Sequence, residues 1–113
     1  MKTISNIELG ALDLHDQSIE SIQLNLSLKE IYIKVSCYDE DKADYTDLDL
    51  VFKGVKSFTI NSLSMDDFDS IEINSVNITL SENNLTIIKW NLLLGVGKPS
   101  SEIQFSFKEC MKL

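Results

Sequence analysis

The side chains of this sequence that could do chemistry are one histidine, two cysteines and a dense run of carboxylates. His15 is the only histidine, and it stands beside Asp16. A His-Asp doublet occurs in metal-dependent phosphohydrolases, but such sites need further imidazole ligands, which this sequence lacks. We therefore expect no metal site. The structural interpretation is that the imidazole caps a strand end or hydrogen-bonds a neighbouring backbone group at the edge of the core.

The two cysteines, Cys37 and Cys110, could act as nucleophiles only beside a base such as His15. Cys37 lies in phase with the apolar positions of its strand, which predicts a core residue. Cys110 has the opposite phase from Phe105 and Phe107, which predicts partial exposure. Neither cysteine stands in the sequence context of a catalytic thiol. We expect no enzyme activity and no cofactor.

Carboxylates crowd the segment from residue 39 to residue 49. Asp39 and Asp41 open this segment with calcium-loop spacing, but Ala43 and Asp44 occupy the positions where a calcium loop has a ligand and a glycine. We interpret the segment as an acidic contact patch, with a solvated acidic loop as the alternative. A second acidic segment extends the patch if the fold brings the two together. The predicted patch consists of Asp39, Glu40, Asp41, Asp44, Asp47, Asp49, Asp66, Asp67 and Asp69.

Two tyrosines, Tyr38 and Tyr45, flank the acidic loop. Tyr38 lies on the phase opposite the apolar face of its strand, so its ring is predicted to point outward. Exposed tyrosine beside acidic groups is common in protein interfaces. We therefore predict Tyr38 and Tyr45 as aromatic partner contacts. The alternative is ordinary half-burial in a sheet covered on both faces.

The charge balance narrows the class of partner. The formal net charge is −8, and all ten basic residues are lysine. Arginine is the preferred residue for bidentate contact with phosphate or guanine, so nucleic acid and anionic membranes are poor partners. A basic protein suits an acidic surface better, because such a surface steers it electrostatically. The alternative is that the charge serves solubility.

Apolar residues alternate at period two along most of the chain, which is typical of strands. The fold class predicted is mostly β: an antiparallel meander of about six or seven strands, curled into a sandwich or half-barrel, with at most one short helix. We expect one domain over residues 1–113. The sequence predicts a strand or helical turn before residue 18 and a strand through Leu28. It predicts a β-bulge at Gly54 and a helical turn capped by Ser64. It also predicts a phase change in the strand near Ser75. The amino terminus has no apolar stretch of signal-peptide type, so we expect a cytoplasmic protein with reduced thiols.

Three short segments resemble the small β-rich immunity proteins of bacterial polymorphic-toxin and contact-dependent growth inhibition systems. They are Leu14-His15-Asp16 with Ile19 and Ile22, then Phe52-Lys53-Gly54-Val55 with Phe58, then Ile71-Glu72-Ile73. The resemblance implies a cytosolic antidote that binds one cognate toxin domain, often a basic nuclease, and blocks its active site. It assigns His15 and Gly54 to the scaffold. One alternative is an adaptor or subunit of a larger assembly, with an edge strand that pairs with a partner. A second alternative is a small hydrolase or ligand-binding barrel. The sequence leaves the oligomeric state open.

Overall fold

A computed structural model describes residues 2–61, 71–81, 83–95 and 100–113, and most of them lie in β-strands. In chain order, the elements are β1 (Lys2–Ile4), α1 (Asn6–Gly10), β2 (Ser18–Asn25), β3 (Glu30–Asp39), β4 (Asp44–Lys53), β5 (Phe58–Ile60), β6 (Glu72–Leu80), β7 (Thr86–Leu93), β8 (Ser101–Phe107) and β9 (Glu109–Lys112). The mostly-β prediction is confirmed. The described strands number nine rather than six or seven, and three of them, β1, β5 and β9, have only three or four residues.

The strands form one antiparallel sheet that folds back on itself. Their order is β1-β9-β4-β3-β2-β6-β7-β8-β5. The register of β2 with β6 contains a single pair, Ser18 with Glu72, and the sheet bends at this narrow join. Phe52 of β4 meets Trp90 of β7 and Phe105 of β8 edge-to-face, with ring centroids 6.3 and 4.8 Å apart. The two halves of the sheet therefore face each other across a shared core, as in a sandwich.

Strand alternation decides which residues fill that core. Ile31, Ile33 and Val35 of β3 are buried, while the residues between them are half-buried on the outer face. Burial of each such side chain stabilises the fold by roughly 1.5–3 kcal/mol relative to leaving it in water. The predicted phase change near Ser75 is confirmed, because the register of β6 with β7 shifts between Ile73 and Ser75.

Gly54 is not a β-bulge, contrary to the prediction. The register of β3 with β4 is unbroken, and Gly54 follows the end of β4 with a φ of +68°. The chain turns there and crosses to the other layer, where Phe58 pairs with Phe105 of β8. The alternation slips at this point because the chain changes layer. A bulge would instead have inserted one residue within a single strand pair.

The amino-terminal segment contains both of the elements expected as alternatives, a strand and a helical turn. Ser5 caps α1: its hydroxyl accepts a hydrogen bond from the backbone N–H of Glu8 at 3.1 Å, and the Glu8 carboxylate accepts one from the N–H of Ser5 at 3.2 Å. Leu9, a residue of this helix, has its side chain buried. The helical turn predicted at Ser64 lies outside the described residues. In the part of the chain described, no helix has the length and apolar character needed to cross a membrane.

Candidate functional site

The β3–β4 hairpin carries six of the predicted acidic residues and both predicted tyrosines. Its ten register pairs run from Glu30 opposite Lys53 to Asp39 opposite Asp44. The half nearest Lys53 packs into the core, whereas residues 44–47 are all exposed. The hairpin therefore extends beyond the core and presents its tip to solvent. We call residues 38–47 the hairpin tip.

Two aspartates at the hairpin tip are engaged by its own backbone. Asp39 Oδ1 accepts hydrogen bonds from the N–H groups of Asp41 at 3.0 Å and Lys42 at 3.3 Å, which closes the turn. Asp44 Oδ1 accepts from the N–H of Tyr45 at 2.8 Å. These two carboxylates shape the turn, so they have less capacity left for a partner.

The other predicted patch carboxylates of the hairpin are Glu40, Asp41, Asp47 and Asp49. The lysine–carboxylate ion pairs found among the described residues lie elsewhere and join Lys2 to Glu8 and Lys89 to Glu102. His15 contacts Asp16, which also lies outside the hairpin. The carboxylates of the hairpin thus have no cation within 4 Å in the part of the chain described. Charges closer than the roughly 8–10 Å Debye length add to one another's potential. The hairpin tip holds five carboxylates and one ammonium group, that of Lys42, so its formal charge is −4 and it is a source of negative field.

The hairpin divides the predicted patch between two sides. Successive strand residues point to opposite faces, so Tyr38, Tyr45 and Asp47 share the outer face. Asp39 and Asp44 lie on the opposite side, in phase with the core residues. The turn, with Glu40 and Asp41, connects the two sides. The patch is therefore a charged rim around a protrusion rather than a single flat surface.

The two tyrosines face each other across the strands. Tyr38 and Tyr45 are register partners, and their ring centroids lie 5.2 Å apart with the planes at 66°. Their side chains stay accessible, with 47% and 64% of their surfaces exposed. The prediction that Tyr38 points outward is confirmed. The pair forms an aromatic surface beside the carboxylate of Asp47.

The remaining predicted patch residues do not join this cluster in the structure. Asp49 is half-buried, one step nearer the core along the outer face of β4, opposite Lys34. Asp66, Asp67 and Asp69 lie outside the described residues, so the extension of the patch stays a prediction.

The two thiols differ from each other in burial. Cys110 is only 2% exposed, so the prediction of partial exposure is wrong. The chain bends between Phe107 and β9, which resets the phase and places Cys110 opposite the core residue Phe52. Burial raises the pKa of Cys110 to about 12. Cys37 is half-buried, and its pKa is raised first by burial and then by the charge of Asp47.

His15 contacts a side chain rather than the backbone group expected from the sequence. Its Nδ1 lies 3.1 Å from Oδ2 of Asp16, and both side chains are more than half exposed. Asp16 has a φ of +66°, so the doublet lies in a tight turn before β2. Among the described residues, no group of three or more potential ligand side chains could hold a metal ion.

Sequence reasoning missed a surface at the opposite end of the β3–β4 hairpin. Leu24, Leu26 and Leu28 alternate as strand residues should, yet β2 ends at Asn25 and all three side chains are at least half exposed. Lysines far apart in the sequence also meet there. The one available signal of this surface was that the alternating leucines continue past the strand into a turn. Leucines in a turn have no core beneath them and are left exposed.

No family model, curated protein or solved structure matches the chain. The resemblance to immunity proteins therefore stays a prediction.

Proposed function

We propose that this protein is an immunity-type binding module that neutralises a basic bacterial toxin domain of the nuclease class. The hairpin tip is its contact surface. The observation that carries this proposal is the exposed pair Tyr38 and Tyr45 on a protrusion whose carboxylates form no ion pair among the described residues. The hairpin tip has five carboxylates and one lysine, so the basic side chains of a partner can form the ion pairs that it does not form itself.

The chemistry of a nuclease is complementary to this protrusion. Enzymes that bind nucleic acid hold the phosphate backbone with lysine and arginine, so their active-site clefts are basic. A two-stranded hairpin is narrow enough to enter a cleft, and its carboxylates can occupy positions that phosphates would take. Buried tyrosines are among the residues that contribute most to binding energy at interfaces, while charged rims set the association rate.

A first experiment tests the antidote role directly. The chain is co-expressed with the carboxy-terminal domain of the protein encoded immediately upstream, and growth and pull-down are measured at low and high salt. Rescue of growth with a stable complex is the expected result. An upstream domain that is toxic but neither bound nor neutralised would contradict the proposal.

A second experiment assigns the contact surface. Reversing charge at Glu40, Asp41 and Asp47 leaves the turn intact, because the turn is closed by the carboxylate of Asp39. We expect the triple lysine variant to bind the toxin domain at least a hundredfold more weakly, since charge pairs close across an interface couple by about 1.5–7 kcal/mol. The measurement is the dissociation constant, with the association rate followed against salt.

The matched control reverses three other exposed acidic residues, Asp13, Glu20 and Glu109, which lie outside the hairpin. Its net charge equals that of the test variant, so a general charge effect would weaken both equally. Equal affinities for the two variants would place the toxin contact away from the hairpin tip. A further pair, Tyr38→Ala and Tyr45→Ala, tests the aromatic surface, with Leu93→Ala as the exposed apolar control on β7.

One observation favours the adaptor or assembly-subunit function as a second candidate. From Ser75 to Leu80, β6 pairs with β7 on one side and with no other described strand on its second side. This open edge has no proline or lysine to discourage pairing, and Leu80 and the nearby Ile7 are 73% and 85% exposed. Addition of a partner strand would cover it. A defined oligomer that Asn77→Lys and Thr79→Lys dissociate would support this function, and a monomer at all concentrations would contradict self-assembly.

A further inference from the structure

Four lysines converge where the chain crosses between the two layers of the sandwich. The N–H of Lys108 donates to the carbonyl of Lys53 at 2.9 Å, and the N–H of Val55 donates to the carbonyl of Lys29 at 3.0 Å. Lys56 follows one residue later, and its N–H donates to Ser106 at 3.1 Å. We call Lys29, Lys53, Lys56 and Lys108 the lysine corner. It lies at the opposite end of β3 and β4 from the hairpin tip, some 25–30 Å away at about 3.3 Å per strand residue.

The lysine corner is locally positive although the chain is acidic. None of its four ammonium groups belongs to an ion pair among the described residues. The acidic neighbours are Glu30 and Glu109, which are register partners of Lys53. The Glu30 carboxylate accepts a hydrogen bond from the Tyr32 hydroxyl at 2.7 Å. Four lysines against these two glutamates give the corner a formal charge of +2. The corner can therefore attract an anion.

An apolar cleft opens beside two of these lysines. Its volume is about 270 Å³, and its lining includes Ile31, Val55 and Phe58. The charged residues of the lining are Lys29, Lys56 and Glu30, so two basic side chains stand against one acidic side chain. Ile31 is buried and Phe58 half-buried, so they form the floor, while the exposed Leu24 and Leu26 form a wall at the mouth. Phe58 stacks on Phe105 with centroids 6.3 Å apart, which anchors the floor to the core. The cleft is thus preformed rather than dependent on a ligand.

We propose that this cleft is a binding site for a small amphiphilic anion, whose apolar chain lies against Val55 and Phe58 and whose carboxylate lies between Lys29 and Lys56. The volume is slightly below the roughly 300–1,000 Å³ of pockets for drug-sized molecules, which suits a single short chain. A stable protein partner needs about 800 Å² of surface on each side, far more than this recess presents. The site is separate from the hairpin tip and does not depend on the proposed toxin contact.

The probes are sodium hexanoate, octanoate and decanoate below their micellar concentrations, titrated into the full chain and followed by methyl NMR. We expect saturable shifts at Leu24, Leu26 and Val55. Affinity should rise roughly three- to fourfold for each methylene until the cleft is full, as expected for burial of methylene groups. Decan-1-ol tests the apolar part alone, and decylammonium tests the sign of the charge. Both should bind more weakly than decanoate.

Substitution of the two rim lysines tests the polar half of the site. The double variant Lys29→Gln with Lys56→Gln should bind decanoate about five- to twentyfold more weakly, since each exposed charge contact contributes modestly. Lys34→Gln with Lys42→Gln is the matched control and should bind as the unmodified chain does. All four positions are at or near the surface, so the variants should keep the native spectrum.

Three outcomes would overturn the proposal. The first is equal binding of decanoate and decylammonium, which would mean that the lysines play no part. The second is shifts spread over the molecule without saturation. The third is self-association at rising protein concentration that the rim variant abolishes while decanoate has no effect, which would assign the cleft to the acidic hairpin tip of a second copy.

Discussion

The side chain of Lys108 lies directly across the backbone of Gly54. A Cβ built on Gly54 would stand 2.8 Å from both Cγ and Cδ of Lys108 and 2.9 Å from its Cβ. The two residues lie at the points where the chain leaves β4 and where it leaves β8, and the N–H of Lys108 donates to the carbonyl of Lys53. Close backbone approach at this crossing is possible because residue 54 has no side chain.

Replacement of Gly54 by alanine should therefore destabilise the fold. The residue has a φ of +68°, which costs an L side chain about 1 kcal/mol, and the new methyl group meets Lys108. We expect Gly54→Ala to lower the free energy of unfolding by roughly 1–3 kcal/mol in urea denaturation. Gly10→Ala is the matched control: the nearest atom to its Cβ is Ile78 Cδ1 at 3.7 Å, and alanine favours the helix by roughly 0.5–1 kcal/mol. Equal effects of the two substitutions would contradict the role given to Gly54.

The ring of Phe52 holds the two layers together. It is fully buried and meets Phe105 and Phe107 edge-to-face at 4.8 and 4.9 Å between centroids. Phe52→Ala should lower the free energy of unfolding by about 3–5 kcal/mol, because it removes these contacts and leaves a cavity. Tyr45→Ala removes an exposed ring that contacts Tyr38 and should lower it by no more than about 1 kcal/mol. A loss under about 1 kcal/mol for Phe52→Ala would show that the layers do not pack through this ring.

The two thiols should react at very different rates in the folded protein. Cys110 is buried with a pKa raised to about 12, so it should react with an aromatic disulfide reagent at pH 8 only after unfolding. Cys37 is half-buried with a raised pKa, so it should react slowly, and faster as the pH rises. Cys37→Ser should abolish the reaction of the native state. Rapid modification of two thiols in the native protein would contradict the burial of Cys110.

Stability should fall at alkaline pH partly through Cys110. Burial raises its pKa from 9.0 to about 12, so above pH 9 the unfolded chain releases a proton that the folded chain retains. The contribution of Cys110 to the free energy of unfolding is fully present below pH 9. It declines as the pH rises towards 12, by up to about 1.4 kcal/mol per pH unit. The free energy of unfolding of Cys110→Ala should decline less steeply between pH 9 and 11 than that of the unmodified protein, whatever the stability of the variant at pH 7. Parallel curves for the two proteins would contradict the assignment.

The predicted elements that proved right depend on local pattern. Ile31, Ile33 and Val35 alternate with polar neighbours, and that spacing predicts which face of β3 is buried without knowledge of any other strand. The phase change at Ser75 was visible for the same reason. Gly54 and Cys110 were misinterpreted because each follows a point where the chain passes from one layer to the other, and alternation carries no information about such a change.

The candidate site also combines features that local sequence predicts with features that depend on the tertiary structure. Its residue types were predictable, since carboxylates and tyrosines crowd one segment of the sequence. Their arrangement was not, because the pairing of Tyr38 with Tyr45 depends on the register of the whole hairpin. The separation of Asp39 from Asp47 onto opposite sides depends on that register too. The lysine corner had no sequence signal at all, since its members lie up to 79 positions apart in the chain.

Composition and alternation therefore settled that this acidic chain would fold as a half-buried antiparallel sheet with a carboxylate-rich turn. Those properties follow from each residue's own preference and from the two-residue repeat of a strand. The tertiary structure alone decided that the carboxylate-rich turn would extend beyond the core. It also decided that four lysines, which form no ion pair among the described residues, would meet at the other end of the β3–β4 hairpin. Hydrogen bonds between distant segments, such as that of Lys108 with Lys53, bring those four lysines together.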